Sequence, residues 1–159
     1  MRYALIGTLL LLSACGFTPM YGTSGDIQAN LAQIEINNIP NREGQFLRNE
    51  LIDRFYTSSR PDQPIYQLQI SPIIERIIDL DITKTSDATR SQLHLSTAIS
   101  LKDLRTSEVV LSKNLNSTSS FNILTSEFST RVSEQNTREN TLNDLARQIE
   151  LQIALYLKQ

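Results

Sequence analysis

Between residues 65 and 121 the chain alternates apolar and polar side chains through three long runs joined by short turn sequences. In the first run Tyr66, Leu68, Ile70, Ile74, Ile78, Leu80 and Ile82 share one parity, and Gln67, Gln69, Ser71, Glu75, Asp79 and Asp81 hold the other. Successive strand side chains point to opposite faces, so this pattern predicts one long strand with one buried face. Arg76 interrupts the apolar parity, and Pro72, with no N–H for a ladder, predicts a bulge or an edge position. Residues 84–88 read as a turn. A second strand is predicted over about 90–104, with Leu93, Leu95, Ile99 and Leu101 inward and His94, Ser96, Ser100 and Lys102 outward. A turn at 103–106 leads to a third strand over about 108–121, with Val109, Leu111 and Leu115 inward. Short turns between consecutive strands predict an antiparallel meander.

Helical and strand patterns flank the meander. Ile34 and Ile36 alternate with Gln33, Glu35 and Asn37, predicting a strand over 31–39 that Pro40 stops. Asn41 is the expected cap of a helix reaching about residue 58, with Leu47, Leu51, Ile52 and Phe55 on one face. The tail reads as a helix over about 126–157. Leu142, Leu145, Ala146, Ile149, Ile153, Tyr156 and Leu157 fall within an arc of about 120° at 100° per residue. Phe128 and Val132 lie on or beside that arc. Leu151 and Leu155 lie nearly opposite, as a partner contact or as ordinary exposed leucines. The order β-α-β-β-β-α predicts an α+β two-layer sandwich: a mainly antiparallel four-stranded sheet, two helices on one face, the other face largely polar.

Composition bears on what holds this fold. One cysteine allows no disulfide, so a hydrophobic core rich in Ile and Leu must suffice. That cysteine also marks the N-terminus. Arg2 supplies a positive charge, residues 3–12 form an apolar run, and Leu12-Ser13-Ala14-Cys15 follows. This is the pattern of a lipobox, in which the Cys15 thiol is acylated and Cys15 becomes the new N-terminus; an ordinary cleaved signal with a chance cysteine is the other reading. The apolar run is shorter than the roughly 20 residues a bilayer span needs. Residues 1–14 are therefore read as a lipoprotein signal peptide, 15–30 as a flexible tether, and 31–159 as a single domain.

Catalytic chemistry finds little to build on. His94 is the one histidine and sits on a strand's polar parity. One histidine and one cysteine assemble neither a zinc cluster nor a Cys–His pair, and no G-x-S-x-G or glycine-rich phosphate loop occurs. The expectation is a non-enzyme with no cofactor and no metal. Glu75, Asp79 and Asp81 can do acid–base work or bind calcium in principle, or simply solvate an exposed strand. A formal charge of −2, one unit more negative once Arg2 leaves, argues against nucleic acid. Lys84 and Arg90 flank the turn between the two longest strands, and Lys102 and Arg105 lie by the next turn. Such pairs grip phosphates or sugar acids, or are ordinary turn charges.

The stretch Leu12-Ser13-Ala14-Cys15-Gly16-Phe17-Thr18-Pro19-Met20-Tyr21-Gly22 resembles the start of LptE-type lipopolysaccharide-assembly lipoproteins of the alphaproteobacterial form. Phe121-Asn122, Ser126-Glu127-Phe128-Ser129-Thr130, Glu134, Arg138-Glu139 and Ile153-Ala154-Leu155-Tyr156-Leu157 resemble that family's last strand and helix. The resemblance implies a lipid-anchored protein on the periplasmic side of the outer membrane. It would plug and help assemble an LptD-like β-barrel and support lipopolysaccharide insertion into the outer leaflet, with Cys15 bearing lipid. Lys84 and Arg90 are the candidate lipopolysaccharide contacts on physical grounds. The alternative is a periplasm-facing ligand-binding or scaffold lipoprotein without a barrel partner.

Overall fold

The computed structural model describes residues 24–56, 60–82 and 88–158. Its elements are α1 (Ser24–Leu31), β1 (Ile34–Ile36), α2 (Asn41–Phe55), β2 (Tyr66–Ile70), β3 (Ile74–Ile82), β4 (Ala88–Asp103), β5 (Val109–Asn122) and α3 (Glu127–Leu157). The architecture is α+β, with one mixed five-stranded sheet and helices packed against it. β1 lies parallel to β2; β2, β3 and β5 all pair antiparallel with β4. The odd residues of β4 face the helices, and Leu93, Leu95, Ile99 and Leu101 are essentially inaccessible, as the alternation predicts.

The first long run is two strands, not one, and the break reverses half of its expected faces. Tyr66 to Ile70 pair with Asp103 to Ile99, but Ile74 pairs with Ser96, so three residues of one strand oppose two of the other. This is a β-bulge at Pro72, which cannot donate to the ladder. Thr97, buried opposite it, donates its hydroxyl hydrogen to the Ser71 carbonyl at 2.8 Å, and Ser71 N–H donates to the Ala98 carbonyl at 2.9 Å. Side chains alternate with period two, so one extra residue turns the rest of the strand over. Leu68 and Ile70 enter the core, while Ile74 and Ile78 lie on the outer face, 66% and 41% exposed. Glu75, Ile77 and Asp79 take the helix-side face instead.

Further differences lie before the meander. Residues 24–31 form a helix where the flexible tether was expected, so the end of that stretch belongs to the folded domain. Leu31 joins the core, and the Gln28 side-chain amide donates to the carbonyls of Arg54 and Phe55 at 2.9 and 3.2 Å, satisfying acceptors that the C-terminal turn of α2 leaves free. The expected strand over 31–39 shrinks to three residues. Asn41 is the first residue of α2 rather than its cap; Pro40 holds the cap position and makes no side-chain cap bond.

α2 and α3 run side by side in the same direction. Arg54 meets Glu150 at 3.2 Å at one end, and Arg42, Glu43 and Phe46 share a groove of about 240 Å³ with Gln135, Arg138 and Leu142 at the other. Leu47, Leu51 and Phe55 of α2 and Leu142, Leu145, Ala146, Ile149 and Ile153 of α3 close the core over β1, β2 and β4. At 1.5 Å per residue, the 15-residue α2 is about 22 Å long and the 31-residue α3 about 46 Å. The sheet therefore has a proximal half under both helices and a distal half, around β3, that α2 does not reach.

Candidate functional site

Cys15 and Lys84 lie outside the described residues. Arg90 lies on the outer face of β4, exposed, in register with Leu80 on one side and Asn122 on the other. Lys102 and Arg105 sit at the opposite, proximal end of the sheet. There Arg105 forms a salt bridge to Asp103 at 2.6 Å and stacks over Tyr66, 5.8 Å from the ring centroid. The Arg105 hydrogen bond holds the Asp103 carboxyl at about 2, below the usual carboxylate range. Tyr66 in turn packs edge-on against Tyr156 of α3 at 6.4 Å. Arg105 is thus a structural clasp of the β4–β5 turn, and its charge is already engaged.

The outer sheet face carries Gln67, Gln69, Gln92, His94, Ser96, Ser100 and Lys102, followed on β5 by Ser112, Asn114, Asn116 and Thr118. His94 lies within this carpet, 3.0 Å from Gln92 Oε1 through Nε2 and 2.9 Å from the Thr118 hydroxyl through Nδ1. Both ring nitrogens are used in these two contacts, and no described carboxylate hydrogen-bonds to the ring. No group of three His, Cys, Asp or Glu side chains suited to a metal occurs among the described residues.

Of the three acidic residues of the first long run, Glu75 and Asp79 are exposed on the helix-side face and each has a hydrogen-bond partner, and the Asp81 side chain lies outside the described ones. Glu75 accepts two hydrogen bonds from Arg138 of α3, both 2.8 Å, and Arg138 also reaches Glu134 at 2.6 Å. These carboxylates raise the Arg138 guanidinium further above its already high range. Asp79 accepts the Ser91 hydroxyl at 2.7 Å. Sequence reasoning had no signal for the Glu75–Arg138 pair, because its partners are 63 residues apart and the bulge decides which face Glu75 takes.

The distal half also exposes apolar side chains. Ile77 is 43% exposed, Phe128 77% and Val132 43%, although Phe128 and Val132 fall on or beside the arc that buries Leu142 to Ile153. Past the end of α2 that arc meets open space. In this half of α3 Thr137 donates to the Ser133 carbonyl at 2.8 Å and Thr141 to the Thr137 carbonyl at 2.6 Å, while Thr130 bonds Leu124 ahead of the helix. Leu151 and Leu155 on the far side of α3 are 36% and 45% exposed. No helix among the described residues is long and apolar enough to cross a bilayer.

No family model matches the chain, and no curated protein is significantly similar to it. Its fold recurs in solved bacterial proteins. A candidate lipoprotein from Caulobacter crescentus superposes with a TM-score of 0.65 at 20% identity, over 84% of this chain and 96% of that one. Rare lipoprotein B from Shewanella oneidensis gives 0.61 at 9% identity, over 79% and 97%. Lipoprotein B from Nitrosomonas europaea gives 0.61 at 15%, over 79% and 83%. At these identities the likeness establishes the fold, and this chain shares it with proteins described as bacterial lipoproteins.

Proposed function

We propose that this chain is an outer-membrane lipoprotein, acylated at Cys15, whose domain fits into an LptD-like β-barrel and supports lipopolysaccharide insertion into the outer leaflet. The observation that carries this reading is a fold common to several bacterial lipoproteins, following a sequence that places a lipobox cysteine ahead of the domain. The outer sheet face agrees with it, because a barrel lumen is polar and wet and a Ser/Thr/Asn/Gln carpet meets such a wall without losing hydrogen bonds. Arg90, exposed and without an ion pair to any described residue, is the described half of the basic pair assigned to lipopolysaccharide phosphate. Lipid, barrel and lipopolysaccharide are the partners; the protein is not an enzyme.

The deciding experiment is affinity purification from detergent-solubilised envelope. A roughly equimolar barrel protein in the eluate supports the reading. Recovery of the chain alone overturns it in favour of a barrel-free scaffold. Labelling with a radioactive fatty acid tests the anchor: Cys15→Ser should abolish incorporation, and unchanged incorporation rejects acylation at Cys15.

A further inference from the structure

We infer that the free edge of β3 is a docking site for an extended segment of another protein, which adds to the sheet as a strand with aliphatic residues facing Ile74, Ile77 and Ile78 and basic residues facing Glu75 and Asp79. β3 pairs with β4 on one side and with no other strand among the described residues, and α3 reaches it from the helix-side face through the Arg138–Glu75 pair. In an antiparallel strand about half of the backbone N–H and C=O groups point to the unpaired side, so this nine-residue strand offers a ready ladder. Its apolar side chains are exposed on both faces, Ile74 and Ile78 outside and Ile77 inside, which an edge that meets only water has no reason to keep. A segment added here gains main-chain bonds for affinity and alternate side-chain contacts for selectivity. The other long edge, β5, exposes one large apolar side chain, Val109 at its proximal start, which the bulge at Leu101–Lys102 turns outward instead of inward; beyond Leu115 it is mostly Ser, Asn and Thr.

Charge selects the occupant: Glu75 and Glu134 share the single guanidinium of Arg138, so this side of β3 keeps a net negative charge, to which Asp79 adds. A second copy pairing two-fold about Ile77 sets Glu75 against Asp79, and pairing about Arg76 sets that residue against itself; like charges directly opposite destabilise a strand pair. An antiparallel partner that complements β3 from Leu80 back to Ile74 reads Val-Lys-Val-Ile-Glu-Lys-Val, with its Glu opposite Arg76. This inference does not rest on the barrel reading, and failed copurification leaves it standing.

That heptapeptide is the probe, with its charge inverse Val-Glu-Val-Ile-Lys-Glu-Val as control, added to the full-length protein in detergent and followed by amide hydrogen exchange. The complementary peptide should slow exchange along β3 and not along β5, and should bind about tenfold more tightly than the inverse. Ile74→Lys with Ile78→Lys should abolish that protection while leaving exchange of the β4 core amides unchanged. Protection of β5 instead, equal binding of both peptides, or protection of β3 by self-association without peptide each overturns the inference.

Discussion

The two halves of this sheet share β4 as a common strand and differ in what covers them. In the proximal half α2 and α3 together seal Leu68, Ile99 and Leu101, each no more than 1% exposed. In the distal half α2 has ended, and β3 keeps Ile74, Ile77 and Ile78 in contact with solvent. Leu93 and Leu95 of β4, in register with Ile77 and Glu75, are nonetheless fully buried, so what stays exposed in the distal part of the sheet is its edge strand. The core runs through both halves, and the difference between them is that the distal edge strand leaves apolar side chains in solvent.

The sharpest test of that division is a cavity. Leu51 is fully buried at the α2–core contact, and Leu51→Ala removes its packing where a close-packed interior relaxes only in part. The expected loss is about 2–5 kcal/mol in denaturant unfolding. A loss under about 1 kcal/mol, as for a surface substitution, breaks the comparison.

Next comes the tie between halves. Arg138 is 16% exposed on its side chain and holds Glu75 of β3 in a bidentate pair. Arg138→Ala leaves Glu75 and Glu134 without their shared cation, at an expected cost of about 1.5–3 kcal/mol. Hydrogen exchange should speed up along β3 first, while the amides of β2 and α2 hold. Arg138→Lys should recover only part of this, because an ammonium cannot reproduce the fork. Uniform acceleration across the sheet would mean that the halves unfold together and that β3 is no separate unit.

Much of this arrangement was legible in the chain. The inward residues of β4, the α2 face at Leu47, Leu51 and Phe55, and the α3 arc from Leu142 to Ile153 each follow one unbroken period, and each is buried. β3 was misread for a local reason. Ile73-Ile74 and Ile77-Ile78 are doublets, so either parity looks amphipathic, and only the residue count across Pro72 decides between them. Phe128 and Val132 continue a true helical stripe, and their exposure reflects where α2 stops, which no helical period encodes. α1 went unseen because its eight residues have little apolar periodicity; Leu31 and Gln28 dock it. Of the candidate residues, Arg90 lies exposed on the outer face of β4, and the Glu75–Arg138 tie depends on the bulge, which no local pattern encodes.

Acid should separate the ends of the molecule in a milder way. Asp103 at the proximal end has its carboxyl lowered from 3.8 to about 2 by its hydrogen bonds with Arg105. A group with a depressed folded pKa contributes stability above its unfolded value and loses it as pH falls through the folded one. The Asp103–Arg105 clasp should therefore be complete above about pH 4 and open progressively towards pH 2. A carboxyl-carbon NMR titration of Asp103 would show this, and a midpoint near 3.8 would mean that the clasp is absent in solution.

The smallest effect is expected where the comparison matters most for function. Ile74 is 66% exposed on the outer face of β3, so Ile74→Thr removes little buried area and keeps a β-branched residue in a strand. Its cost should stay within about 0.5 kcal/mol, against about 2–5 for Leu51→Ala in the other half. A larger cost in the isolated protein would mean that Ile74 already packs against the domain, and the distal edge strand would then be core. If the cost stays small in isolation but the same substitution weakens a complex purified from the envelope, the exposed isoleucine belongs to an interface.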